Sequence, residues 1–188
     1  MNAASVNRNR LRRRDLLATM LAPVLLSGSA AAQSGGATVR TRPVTTAHFR
    51  INLPENDWRL LPAGINTLGC LVHKDSTAAI VIEHELLQIS LAPEEVDANF
   101  AELEMATIRE REMTGTGFAR RLDQTGRRRA VVDFQRRAPG GTEQVRVFVL
   151  VQGKHLYRLV CASQASQFTR YEAVFQVVCG SFTPLDAA

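Results

Sequence analysis

The sequence predicts an α+β domain in which helices pack on a largely antiparallel β-sheet. Three observations lead to this fold class. Short apolar runs bounded by turn residues precede and follow one amphipathic segment, a second amphipathic segment closes the chain, and no internal repeat interrupts the order. Strands, a helix, four further strands and a final helix are typical of helices on an antiparallel sheet. With 188 residues, 45% of them hydrophobic, the chain is long enough for one such domain.

The first three predicted strands are short and are separated by polar turns. Residues 49–53 alternate between apolar and polar types and stop at Pro54, as a strand does. The next segments are a turn at residues 54–57 before Trp58, an apolar strand at 68–72, a polar turn at 73–76 and a second apolar strand at 78–82.

A helix is predicted to begin at Pro93 and to end near Thr114 and Gly115. Proline suits the first turn of a helix, and Glu94 and Glu95 would lie near the positive end of the helix dipole. The predicted apolar stripe consists of Val96, Phe100, Leu103, Thr107 and Ile108.

Four strands and a second helix complete the predicted domain. The strands cover residues 117–122, 129–136, 144–152 and 155–161, with turns at Gly126, residues 139–141 and Gly153. Val147 and Phe148 are adjacent apolar residues, so we expect the third of these strands to be covered on both faces. The last helix, at 164–178, should bury Phe168, Tyr171, Phe175 and Val178 and stop at Gly180.

The N-terminal segment has the three parts of a cleavable signal peptide. Five arginines from Arg8 to Arg14 precede an apolar run at residues 16–26, and small residues follow it. Ala30 and Ala32 form the predicted cleavage motif. A spanning helix needs roughly 20 apolar residues, so this shorter run predicts no stable membrane anchor.

The start of this segment resembles a bacterial twin-arginine signal. Arg13 and Arg14 are followed by one free position and then by Leu16 and Leu17. The general secretory route is the alternative. Either route predicts a periplasmic protein that is soluble after signal cleavage. The predicted parts are a signal peptide at residues 1–32, a flexible lead-in at 33–47 and a single domain at 48–185.

The net charge of +5 comes mostly from the predicted leader. Residues 1–32 hold five arginines and one aspartate, so 18 basic and 17 acidic residues remain and the mature chain carries +1. A nearly neutral domain lacks the field that collects polyanions, and we therefore expect no nucleic-acid binding.

Three segments resemble the PsbP-like and DcrB-like domain family. They are Phe49-x-Ile51-x-Leu53-Pro54 followed by Trp58, then Gly153-x-x-Leu156-Tyr157-Arg158-Leu159, and finally Phe168, Tyr171, Phe175 and Val178 leading to Ser181-Phe182. The resemblance spans about residues 48–184. It implies an α/β/α sandwich and a binding or assembly-assisting role beside larger complexes, membranes or the envelope. Members are not generally enzymes, and no metal, cofactor or catalytic motif carries over to this chain.

The three cysteines, Cys70, Cys161 and Cys179, are an odd number, and a periplasmic location permits a disulfide. A helix of about 15 residues spans roughly 22 Å, so an antiparallel return would separate Cys161 from Cys179 and disfavours that bridge. A bridge from Cys70 to either one stays open. Small buried thiols are the interpretation that we favour.

Neither catalytic nor metal-binding residues are predicted. His48, His73, His84 and His155 are scattered along the chain. Glu83-His84-Glu85 is the densest group of possible ligands, but alternation along a strand turns His84 away from the two glutamates. Motifs for a nucleophile elbow, a zinc protease or a phosphate-binding loop do not occur in the sequence. We therefore expect no cofactor.

Arginine is the most unusual local feature. Seven arginines occupy two neighbouring strands and their turns: Arg120, Arg121, Arg127, Arg128, Arg129, Arg136 and Arg137. A hairpin about Gly126 would gather several on one face, where their planar groups suit phosphates and carboxylates. The candidate partner-binding residues are Arg127, Arg128, Arg129, Arg136 and Arg137. The alternative is a solvated edge that is balanced by the acidic first helix.

The leading functional hypothesis is an exported, non-enzymatic binding or accessory domain. Its expected partner is an envelope protein or an anionic envelope surface. A small periplasmic hydrolase or ligand-binding enzyme with a dispersed site is the alternative, and it predicts a deep pocket with convergent polar groups. A structural subunit that uses an exposed apolar groove is the third hypothesis.

Overall fold

The computed structural model describes residues 39–62, 64, 67–124 and 128–185. The elements in chain order are β1 (Thr41–Thr45), β2 (Phe49–Pro54), β3 (Trp58–Leu61), β4 (Thr67–His73), β5 (Ala79–Leu91), α1 (Ala98–Arg111), β6 (Thr116–Asp123), β7 (Arg129–Ala138), β8 (Gly141–Gln164), α2 (Phe168–Ser181) and β9 (Thr183–Pro184). The predicted signal and cleavage residues Arg13, Arg14, Leu16, Leu17, Ala30 and Ala32 lie outside the described residues, as does Arg127.

The main sheet is antiparallel and has the strand order β3-β4-β5-β8-β7-β6. β8 folds back on itself and contributes two arms. The N–H of Ala165 donates to the carbonyl of Thr142 at 2.9 Å, and Gly153, near the midpoint, has a φ of 60°. The first arm (residues 141–152) pairs with β7 and the second arm (residues 153–164) pairs with β5. The predicted turn at Gly153 is confirmed.

The two helices cover opposite faces of this sheet, which we call the α1 face and the α2 face. α1 packs on a core that contains Val147, and α2 packs on a core that contains Phe148. These neighbours enter different cores because successive side chains of a strand point to opposite faces. The predicted α+β class, with helices covering a largely antiparallel sheet, is confirmed.

A second sheet, of order β1-β2-β9, corrects the predicted lead-in. Within residues 33–47, the segment Thr41–Thr45 forms β1 and pairs with β2 along its whole length. β2 in turn places Phe49 and Ile51 in the core of the α2 face. The composition of the lead-in did not reveal β1, because its order comes from pairing with the next strand.

The first helix starts later than predicted, and its apolar stripe differs. Pro93–Glu95 forms a separate 3-10 turn, and Asp97 caps α1 by accepting two backbone N–H bonds. Leu103, predicted to be inside, is 64% exposed. The buried side consists of Ala101, Glu104, Met105 and Ile108. Val96 precedes the helix but is buried in the same core, and the acidic Glu104 belongs to the buried side of α1.

The last helix keeps its predicted apolar face. Phe168, Tyr171, Phe175 and Val178 are buried, as expected. Gly180 does not stop the helix, because α2 continues to Ser181, whose hydroxyl donates to the carbonyl of Val178 at 2.8 Å.

Candidate functional site

The candidate arginines do not gather on one face. Arg129, at the start of β7, shares the α2 face with Val131 and lies against Phe148. Arg136, near the other end of the strand, is four positions after Val132 and therefore shares the α1 face with it. Arg137 follows at that same far end and is exposed. The structure therefore separates residues that the hairpin prediction placed together.

Carboxylates neutralise four arginines of β6 and β7. The ion pairs are Arg120 with Glu102, Arg121 with Asp133, Arg129 with Asp123, and Arg136 with both Glu112 and Glu143. Glu102 belongs to α1 and Glu112 is its C-cap residue. For Arg120 and Arg136 the arrangement agrees with the alternative of an edge that is balanced by the acidic helix.

Among the described candidate arginines, Arg128 and Arg137 are exposed. Arg128 is exposed and donates to the backbone carbonyl of Glu94 at 2.8 Å. Arg137 lies opposite Thr142 at the far end of β7. Within the described part of the chain, neither has a carboxylate partner, so these two remain available to an anionic partner.

A cleft of about 480 Å³ lies beside Arg129. Its lining is Arg121, Leu122, Asp123, Gln124, Arg129, Gln176 and Gly180. The Arg129 guanidinium is buried over the ring of Phe148, and its Nε has no hydrogen-bond partner among the described residues. Guanidinium and amide donors suit a carboxylate or a phosphate. The described lining does not bring a nucleophile and a general base together.

Arg158 and Glu104 form a buried ion pair that sequence reasoning missed. Nε and Nη2 of Arg158 donate to the two carboxylate oxygens of Glu104 at 2.8 and 3.1 Å. Nη1 donates to Glu85 at 2.6 Å, and this hydrogen bond holds the pKa of Glu85 below its usual value. The sequence signal that could have revealed this pair is Glu104, an acidic residue at helical spacing between Ala101 and Ile108. The pair joins α1 to the second arm of β8.

The Glu83-His84-Glu85 segment follows the predicted alternation. Glu83 and Glu85 both approach Arg111, at 3.8 and 3.2 Å. His84 points to the opposite face, where its Nε2 lies 2.9 Å from Nδ1 of His155. Burial, with the nearby His155 and His48, holds the pKa of His84 below its usual value. The described residues contain no group of three side chains that could hold a metal ion.

Cys161 and Cys179 are neighbours, so the expectation that they lie far apart is wrong. Their Sγ atoms are 3.4 Å apart in the core of the α2 face. α2 crosses the strands instead of returning along β8. Its first turn brings Tyr171 against His73 of β4 at 5.3 Å between ring centroids, and Gly180 at its other end lines the cleft near β6. This crossing carries Cys179 over the second arm.

The distal part of β5 presents an edge that sequence reasoning also missed. β5 continues to Leu91 instead of ending at residue 82. β4 pairs with β5 only as far as Glu83, and within the described part of the chain no strand pairs with that side beyond it. Leu86 and Ile89 are each 65% exposed. We call residues 84–91 the distal β5 edge. Unpaired backbone with exposed apolar side chains is suited to accept another strand.

Comparison with known proteins gives a match in structure but not in sequence. No family model and no curated protein matches the chain. It is similar to cyanobacterial PsbP (CyanoP) from Synechocystis sp. PCC 6803, with a TM-score of 0.54 and 10% identity, covering 84% of this chain and 100% of that one. It is similar to LpqN of Mycobacterium tuberculosis, with a TM-score of 0.50 and 17% identity, covering 78% and 91%.

A structure from Bacteroides thetaiotaomicron VPI-5482 has a TM-score of 0.51 and 11% identity, covering 73% of this chain but only 45% of that one. At such identities the similarity shows the fold alone, and that fold is PsbP-like. The DcrB-like part of the resemblance stays a prediction. No described helix has the length and apolar character needed to cross a membrane.

Proposed function

We propose that this chain is an exported, non-enzymatic accessory domain of the periplasm that binds an extended segment of another envelope protein. The observation that carries the proposal is the distal β5 edge, where backbone that pairs with no described strand on this side lies beside exposed Leu86 and Ile89. A segment that adds as a strand gains backbone hydrogen bonds, and its side chains pack on the exposed apolar residues.

The chemistry of this edge favours a polypeptide over a charged surface. At the start of this edge, His84 contacts His155 and Glu85 accepts from Arg158, and residues 86–91 contain no ionisable side chain. Natural edge strands are commonly protected from strand addition by charged residues or proline, and this stretch has neither. The expected occupant is therefore an extended, uncharged segment with apolar side chains.

The envelope setting is supported by the predicted signal peptide. It also agrees with the use of this fold elsewhere, since LpqN is described as involved in cell envelope biogenesis. The hydrolase alternative requires convergent catalytic groups, whereas the lining of the cleft supplies arginine, aspartate and glutamine.

Site-specific crosslinking tests the proposal. A photoreactive residue at position 89 should yield an adduct with another envelope protein in cells that export the chain, and the same residue at position 103 should not. Leu103 is a matched control, because it is 64% exposed and lies on α1. The crosslinked segment, made as a peptide, should slow amide exchange at residues 84–91.

Charged substitutions at the edge complete this experiment. Leu86→Lys with Ile89→Lys should weaken binding of that peptide by tenfold or more, on the order of 1.4 kcal/mol, whereas Leu103→Lys should leave it unchanged. An adduct formed only with a second copy of this chain would indicate self-association. Equal adducts at positions 89 and 103 would overturn the proposal.

The exposed Arg128 supports a second candidate function, the binding of an anionic envelope surface. We expect Arg128→Ala to weaken binding to vesicles that contain an anionic phospholipid and to reduce the salt sensitivity of binding. Arg137→Ala removes one exposed positive charge from the far end of β7 and should weaken binding less than Arg128→Ala, which separates a local contact from a loss of net charge. Unchanged binding of the Arg128 variant would exclude Arg128 as a contact with the anionic surface.

A further inference from the structure

We propose that Cys161 and Cys179 are joined by a disulfide bond in the exported protein, a covalent modification that ties the end of α2 to the second arm of β8. As free thiols, their sulfurs lie 3.4 Å apart, and both side chains are buried. A disulfide needs about 2.05 Å between sulfurs, so they must approach by about 1.4 Å. This is a local adjustment and leaves the strand pairing intact.

The third cysteine lies on the wrong side of the sheet to compete. Leu71 belongs to the core of the α2 face, so its neighbour Cys70 points to the α1 face. The sheet therefore separates Cys70 from both Cys161 and Cys179. This placement leaves one geometrically possible bridge among the three cysteines and a single free thiol.

The bond forms by thiol–disulfide exchange with a disulfide of another, oxidised protein, which we call the donor. One cysteine thiolate attacks a sulfur of that disulfide, which gives a mixed disulfide and releases the first donor thiolate. The second cysteine thiolate attacks the mixed disulfide, closes the bridge and releases the second donor thiolate. This chain loses two protons and two electrons. The donor disulfide takes up both electrons and, once its thiolates are protonated, becomes a dithiol.

Burial controls when this exchange takes place. The attacking species is the thiolate. Burial, together with the adjacent Cys179, raises the pKa of Cys161 well above its ordinary value. The bridge therefore closes while the chain folds or when α2 is transiently detached. A chain that folds before export, as the twin-arginine route requires, buries the pair as thiols, and its bridge then closes only when α2 is transiently detached in the periplasm. A chain exported unfolded meets the oxidant first.

The proposal relies on the proposed export for its oxidising environment, so its test must not depend on export. The purified full chain is unfolded, reduced and refolded in a mixture of reduced and oxidised glutathione. We then expect alkylation under denaturing conditions to label Cys70 alone, and a digest to contain one linked peptide pair with Cys161 and Cys179. Three labelled cysteines, or a bridge that includes Cys70, would overturn the disulfide.

Cysteine variants show whether the change in stability on reduction comes from the bridge itself. Cys70→Ser should still form the bridge, whereas Cys161→Ala with Cys179→Ala should not. The bridged chain should melt about 10 °C above its reduced form, and the double variant should be insensitive to reductant. Equal melting temperatures for bridged and reduced chains would contradict the proposal that the bridge holds α2 to β8. If the bridge forms on refolding but fractionation finds the chain in the cytosol, the export proposal fails instead.

Discussion

At the scale of single residues, His84 makes the stability of the fold depend on pH. Its ring lies 5.2 Å from that of His155 and 5.1 Å from that of Tyr157, measured between centroids. The facing nitrogens of His84 and His155 are 2.9 Å apart. One of them must accept the hydrogen bond, so protonation of both rings would place two donors against each other. The nearby His48 also contributes to the lowered pKa of His84.

We expect a pH-dependent loss of stability that originates at His84. Its pKa is lower in the folded chain than the ordinary value of 6.5. As the pH falls below 6.5, the unfolded chain binds the proton first, so the free energy of unfolding decreases until the folded pKa is reached. His84→Gln should reduce this decrease in urea denaturation at about pH 7.5 and about pH 5.5. The same pH dependence in both proteins would show that His84 does not contribute.

Single residues also show where sequence reasoning reaches its limit. Alternation along a strand is local, so it correctly turned His84 away from Glu83 and Glu85. The pairs Arg158–Glu104 and Cys161–Cys179 depend on where each helix crosses the sheet. No local period carries that information, and Glu104 within an apolar stripe was the only available hint.

At the scale of elements, two glycines that were both predicted to end or turn an element behave differently. Gly153 has a positive φ within the β8 hairpin, where side chains are strained. Gly180 lies in the last turn of α2 and continues the helix. An added Cβ at Gly153 would meet Ser90 only at 3.7 Å, and at Gly180 it would meet no described residue outside the helix's own nearby backbone within 4 Å. The two sites therefore differ in backbone conformation more than in space.

Alanine at these glycines should change stability in opposite directions. Gly153→Ala should lower the free energy of unfolding by about 1–2 kcal/mol, because the left-handed conformation is unfavourable for alanine. Gly180→Ala should leave it unchanged or raise it by up to about 1 kcal/mol, because alanine is the better helix former. Chemical denaturation measures both. A Gly153 variant as stable as the parent would mean that the turn does not require a positive φ.

Elements were predictable where their signals are local. The second arm of β8 and the buried face of α2 follow from turn residues and helical spacing. β1 is different, because its extended conformation depends on pairing with β2. The distal half of β5 pairs with β8 as far as Leu86 and again at Leu91, and no period in the sequence indicates this continuation. α1 was shifted because Pro93 forms its own turn and the effective cap is Asp97. The proposed binding edge therefore lies in a part of the fold that the sequence pattern did not reveal.

At the scale of the molecule, one sheet holds two hydrophobic cores together. Val147 belongs to the core of the α1 face, and the adjacent Phe148 belongs to that of the α2 face. The single tryptophan, Trp58, packs against Tyr171 and Phe175 on the α2 face. Its fluorescence therefore reports on one core, whereas far-UV circular dichroism reports on the backbone of the whole domain.

We expect a destabilising substitution in the α1-face core to lower the urea midpoint that Trp58 fluorescence reports. Val147→Ala removes two buried methyl groups and should cost about 2 kcal/mol. Because β8 carries both cores, the midpoints from Trp58 fluorescence and from circular dichroism should fall together in urea. Val177→Ala, at a 38% exposed position of α2, is the control and should change stability by less than about 0.5 kcal/mol. A fluorescence midpoint that stays in place while the dichroism midpoint falls would instead show two independently unfolding cores.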